Sequence, residues 1–145
     1  MEEREEKGVK ILLVEDLEEH VLIIRNALEE SRLRNKLFVT RDGEEAIDFL
    51  YNRGDYADGN KYPKPDIILL DLRLPKLDGI GVLEQINHEE KIKDIPVIVL
   101  TVSESDEDII RAYEEGVKSY ILKSAVIVQK TGKMEGVLDA IISLV

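Results

Sequence analysis

The sequence predicts an α/β fold: a doubly wound, five-stranded parallel sheet with helices on both faces. Three observations predict it. Five short runs rich in Val, Ile and Leu recur along the chain, helical patterns separate them, and polar or charged residues follow four of the runs directly. Strands buried on both faces read as continuous apolar runs, and their alternation with helices gives a parallel sheet covered on both sides.

The first run spans residues 9–14. An amphipathic stretch follows, with Leu17, Val21, Ile24 and Leu28 at the three- and four-residue spacing of one helix face. The second run, 37–40, leads into a helix over 43–53. The third run covers 67–70, and the helix after it carries Ile80, Leu83 and Ile86. The fourth run covers 96–100. Its helix carries Ile109, Ile110 and Tyr113, opens at Ser103 or Ser105 as N-cap, and stops at Gly116. The fifth run is 119–122, and a last helix over 134–144 closes the chain.

Residues 1–8 form a Glu-rich arm, and residues 9–145 are expected to form one domain. A chain of 145 residues buries roughly 68–70% of the surface its unfolded form exposes. With no Cys, neither a disulfide framework nor a thiolate metal site is available. The charged start, MEEREEKGVK, lacks the apolar core of a signal peptide, and no apolar run reaches membrane-spanning length. A cytoplasmic protein without membrane contact is expected. The formal net charge of −11 argues against direct nucleic-acid binding, because such a surface repels phosphates. Residues 52–64 form a long polar connection, read as a solvated insertion in which Tyr56 and Tyr62, with the adjacent Tyr51, serve as anchors.

In doubly wound sheets, sites lie beyond the carboxyl ends of the strands. Glu15 and Asp16 follow the first run, Asp71 the third, Thr101 the fourth and Lys123 the fifth. Each type also has an ordinary reading: a carboxylate at a strand end caps a helix or turn, and a lysine lies on the surface. Their coincidence on one edge favours chemistry. Three crowded carboxylates repel one another and call for a cation. All-oxygen ligation with few protein ligands suits Mg²⁺, or Mn²⁺, which also binds phosphate oxygens. A carboxylate beside such an ion can act as a nucleophile toward phosphorus. Lys123 and Thr101 would hold the remaining phosphoryl oxygens, and phosphoryl transfer asks for little beyond positioning and charge neutralisation.

Glu15-Asp16, Asp71 in DLRLPKLDG, Thr101 after VIVL, Tyr120 and Lys123 together resemble the response-regulator receiver family, over nearly the whole chain from Val9. The long polar loop and the expected lack of an output domain are similar to the small single-domain receivers that serve cyanobacterial-type phytochromes. The resemblance implies a flavodoxin-like strand order 2-1-3-4-5 with five helices. It implies that Asp71 accepts a phosphoryl group from a sensor histidine kinase or phosphotransfer protein. Asp16, Asp71 and the backbone carbonyl of Arg73 would hold Mg²⁺, with Glu15 acting partly through water. Lys123 would pair with the phosphoryl group, while Thr101 and Tyr120 move as a switch. The face made by the fourth helix, fifth strand and fifth helix would then signal to a downstream protein or onward in a phosphorelay. Any homodimer is expected to use that face. Such a protein is a phospho-acceptor modified on itself rather than a turnover enzyme.

Two residues depart from the family pattern: Ser124 stands where Pro usually follows the Lys, and Val102 where a small residue usually follows the switch Thr. A trans Lys123–Ser124 bond is expected. The alternative reading is a degenerate receiver that binds partners without phosphorylation. An aspartyl phosphatase would want a second acid where Arg73 stands. A flavin or nucleotide fold would want a glycine-rich loop where the chain has VEDLEEH. His20, His88 and the acidic run 104–108 are read as surface features.

Overall fold

The structure is a computed structural model that describes residues 8–30, 34–101, 114 and 119–122. Its element order is β1 (Val9–Val14), α1 (Glu18–Glu29), β2 (Asn35–Thr40), α2 (Gly43–Tyr51), a 3₁₀ turn (Gly54–Tyr56), β3 (Ile67–Asp71), α3 (Gly79–Asn87), β4 (Val97–Thr101) and β5 (Ser119–Leu122). All neighbouring strands pair in parallel, in the order β2-β1-β3-β4-β5. The expected doubly wound α/β sheet is therefore present. The expected fourth and fifth helices lie outside the described residues, apart from Glu114 in a helical turn.

Side chains alternate across each strand with a period of two. Leu12, Val14, Ile68, Leu70, Val97 and Val99 pack with Ala46, Phe49, Leu83 and Ile86 of α2 and α3. Ile11, Leu13, Ile67, Leu69, Ile98 and Leu100 pack with Val21, Ile24 and Leu28 of α1. Both faces of β1 and β3 are thus covered, which is why these runs show no polar alternation. A fully buried Leu or Ile contributes roughly 1.5–3 kcal/mol.

The helix ends have local causes. Leu17, expected on the buried face of α1, is instead its N-cap with extended backbone and is 48% exposed. Helical spacing does not govern a residue outside the helix. Asp42 caps α2 by accepting Glu45 N–H at 2.7 Å. Asn52, at φ 53°, stops that helix before the expected Arg53 in the left-handed conformation that Asn tolerates. Asp78 caps α3 through Gly81 N–H at 2.9 Å.

The 52–64 insertion is polar in composition yet anchored. Tyr56 and Tyr62 meet edge to face at 4.8 Å and flank Phe49 at 5.2 and 5.7 Å. Asn52 Nδ2 donates to the carbonyls of Tyr56 and Tyr62, at 2.9 and 3.0 Å. Tyr51 packs at the core margin with the Arg53 guanidinium 4.4 Å above its ring. The anchoring role expected of the tyrosines holds, and most other residues of the insertion are exposed, as expected of a solvated segment. No helix among the described residues is long and apolar enough to cross a membrane.

Candidate functional site at the carboxyl edge of the sheet

After β1 the chain crosses to β2 on one side, and after α2 it returns to β3 on the other. The crevice at this change of direction is where doubly wound sheets place ligands. In register, Val14 lies beside Leu70, and Asp71 beside Leu100. Residues just beyond β1 therefore meet the last residue of β3.

Glu15 continues the ladder by one bond, its N–H donating to Thr40 O at 3.0 Å. Its side chain is fully buried, and Oε2 accepts Leu17 N–H at 3.2 Å. Asp16 is exposed at the rim. Asp71 is 3% exposed and its Oδ1 accepts Arg73 N–H at 3.0 Å. One carboxylate oxygen from each of Glu15, Asp16 and Asp71 lies within 4.8 Å of the others. An open depression of about 440 Å³ lies alongside, lined by Asp16, Arg73, Leu74, Pro75 and Asp78 among others.

Asp71 closes β3 and Thr101 closes β4, so both belong to their strands rather than following them, as the sequence suggested. The sheet edge keeps its hydrogen bonds one residue further than the apolar runs last. Tyr120 lies in β5 beside Val99 in register. The side chains of Thr101 and Tyr120, and Lys123, Ser124 and Val102 entirely, lie outside the described residues. The same holds for the acidic run 104–108, the Lys123–Ser124 bond and, apart from Glu114, the two helices that flank β5 in the expected signalling face.

His20 departs from the surface reading. It is half-buried, and Nδ1 sits 3.8 Å from Glu15 Oε2. The signal was present: His20 lies one turn before the buried Ile24, at the margin of the apolar face. His88 is exposed at the end of α3, with Nδ1 2.7 Å from Glu84 O.

The donor set among the described residues, three carboxylates, fits a small divalent cation, with the burial of Glu15 and Asp71 sharpening their mutual repulsion.

Comparison with known proteins gives concordant results. A profile of the response regulator receiver domain matches residues 11–130. The probable methanogenesis regulatory protein FilR2 of Methanothrix harundinacea is 44% identical over 113 residues, covering 78% of this chain and 70% of that protein. Response regulator Rcp1 of Synechocystis sp. is 42% identical over 114 residues, covering 79% and 76%. Among solved structures, the phosphorylated cyanobacterial phytochrome response regulator RcpA aligns with a TM-score of 0.80 at 40% identity, over 90% of this chain and 91% of that one. The Mn²⁺-bound form of Rcp1 aligns with a TM-score of 0.78 at 37% identity, over 92% and 91%.

Proposed function

The chain belongs to the response-regulator receiver family, and from that premise we propose that it is a divalent-ion-dependent phospho-acceptor switch whose nucleophile is Asp71. The observation that carries this reading is the convergence of Glu15, Asp16 and Asp71 within 4.8 Å at the edge of the sheet. Asp16, Asp71 and the Arg73 carbonyl would hold Mg²⁺ or Mn²⁺, with Glu15 behind them. When bound, the ion offsets the charge of the carboxylates and of the incoming phosphoryl oxygens. A manganese-bound relative supports the same ion class here.

An Asp71 oxygen attacks the phosphorus of a phosphohistidine on a sensor kinase or phosphotransfer protein. The O–P bond forms as the P–N bond breaks, and the electron pair returns to the imidazole. The Arg73 N–H fixes the rotation of the attacking carboxylate. Lys123 and Thr101 bind the transferred group, and Thr101 with Tyr120 relays its presence to the face made by the fourth helix, β5 and the fifth helix. Residues 9–145 form the receiver, residues 1–8 the arm, and the protein acts in the cytoplasm by contact with a downstream protein or by phosphorelay. The relatives serve differently named systems, so the donor is assigned by class: a histidine kinase or phosphotransfer protein.

The test is incubation with acetyl phosphate and Mg²⁺, followed by intact mass. Wild type gains one phosphoryl group, and neither Asp71→Asn nor metal-free wild type does. Equal uptake by Asp71→Asn would overturn the assignment.

A further inference from the structure

Three contacts seat the loop that follows Asp71 on the start of α2. A Cβ on Gly43 would fall 1.8 Å from the Leu77 carbonyl oxygen and 2.7 Å from Leu77 Cβ. No side chain fits there without moving the loop or the helix. Gly43 N–H points at Pro75 O, 3.5 Å away. Lys76, itself at φ 67°, places Nζ 3.6 Å from Asp42 Oδ2. Arg73, which holds Asp71 through its N–H, lies two residues before Pro75.

The start of α2 is fastened from its other side as well. Glu45 Oε1 accepts Arg41 N–H at 2.7 Å, and Oε2 accepts the Tyr56 hydroxyl. Tyr56 belongs to the insertion and is wedged against Phe49 and Tyr62. A continuous set of contacts thus runs from Tyr56 through Glu45 and Gly43 to Leu77 and the acceptor loop.

We infer that Gly43 is a positioning residue for the ion-binding loop, and that the 52–64 insertion, through Tyr56, holds the seat on which that loop rests and so tunes divalent-ion affinity. The inference rests on the proposed acceptor site. A side chain at position 43 displaces Leu77, and the displacement reaches the Arg73 carbonyl through four residues of chain. Freeing the start of α2 lets the helix retreat instead and returns the loop toward its place.

The experiment compares wild type, Gly43→Ala, Tyr56→Phe and the double variant in two measurements. Calorimetry reads Mg²⁺ affinity, and amide NMR in metal-free buffer reads the Arg73 and Leu77 resonances. Gly43→Ala is expected to weaken Mg²⁺ binding by roughly tenfold or more, the usual effect of losing a partner that orients a metal ligand. It should also shift the Arg73 amide. Tyr56→Phe should shift both amides without touching either, and in the double variant it should recover part of the lost affinity. Wild-type affinity with an unmoved Arg73 amide in Gly43→Ala would overturn the inference. So would a Tyr56→Phe protein with unmoved amides and no recovery in the double variant. If Gly43→Ala does not fold, the Tyr56→Phe amides decide alone. A wild-type protein that binds no Mg²⁺ would overturn the acceptor-site reading instead, and the metal-free amide shifts still report on the seat.

Discussion

Asp71 Oδ1 accepts the backbone N–H of Arg73 at 3.0 Å, so the carboxylate is oriented by the loop it introduces. The bond spans two residues and survives any change that keeps an oxygen at Oδ1. Asp71→Asn can keep it while removing one of three crowded charges. At separations near 5 Å, like charges repel by on the order of 1–3 kcal/mol at effective dielectric constants between those of a protein surface and water. Asp71→Asn should therefore raise the thermal midpoint in metal-free buffer and lose most of the stabilisation that Mg²⁺ gives wild type. Calorimetric scans with and without Mg²⁺ check both halves. A lower metal-free midpoint would show that the cluster is not repulsive.

Asp16 is the exposed member of the cluster, and its removal disturbs little packing. Asp16→Ala should keep the thermal midpoint of the metal-free protein within a few degrees while weakening Mg²⁺ binding by at least about tenfold. Titration calorimetry measures this directly, and unchanged affinity would remove Asp16 from the ligand set.

The fold was readable because its signals are redundant. The central strands β1, β3 and β4 are apolar runs buried from both sides, so a boundary error of one or two residues leaves the topology intact. The carboxylates were readable for a related reason. Glu15, Asp16 and Asp71 each sit where an apolar run breaks, and parallel register brings such breaks together. What local pattern could not supply was pairing across the sequence. Gly43 reads as an ordinary helix start, and only the folded chain shows Leu77 against it. Tyr56 lies in a polar loop, and its partner Glu45 is eleven residues away. Leu17 fitted the helix face by spacing and failed because the helix begins one residue later.

Tyr56 also predicts an alkaline effect on stability. Burial, then the hydrogen bond to Glu45 and its charge, push the Tyr56 hydroxyl well above its ordinary value of 10.0. The unfolded state therefore loses this proton first as pH rises. The stabilisation is fully present below pH 10 and is lost as pH climbs beyond it toward the folded-state value. Wild type should lose urea midpoint between pH 9 and pH 11 by more than Tyr56→Phe, which has no proton there to lose. Parallel slopes for the two proteins would show that Tyr56 contributes nothing to the alkaline transition.

The lifetime of a phosphoryl group on Asp71 should depend on Arg73. Hydrolysis needs a water in line behind the phosphorus, opposite the Asp71 oxygen. Arg73 is exposed and lines the depression beside Asp16 and Pro75, where such a water would enter. Its guanidinium donates only and accepts nothing, so it cannot orient a water through a lone pair. It can instead lay its donors over the phosphoryl oxygens and cover the approach. Asn at this position brings a carbonyl oxygen and a shorter reach, which orients water and opens the path. One added hydrogen bond of about 1 kcal/mol in the transition state corresponds to roughly fivefold in rate. Arg73→Asn should then dephosphorylate faster by about that factor, followed by intact mass after the phosphodonor is removed. Arg73→Lys keeps the charge and still lacks an acceptor, so it should decay at close to the wild-type rate. An Arg73→Asn protein that holds its phosphoryl group as long as wild type would place Arg73 off the path of the water.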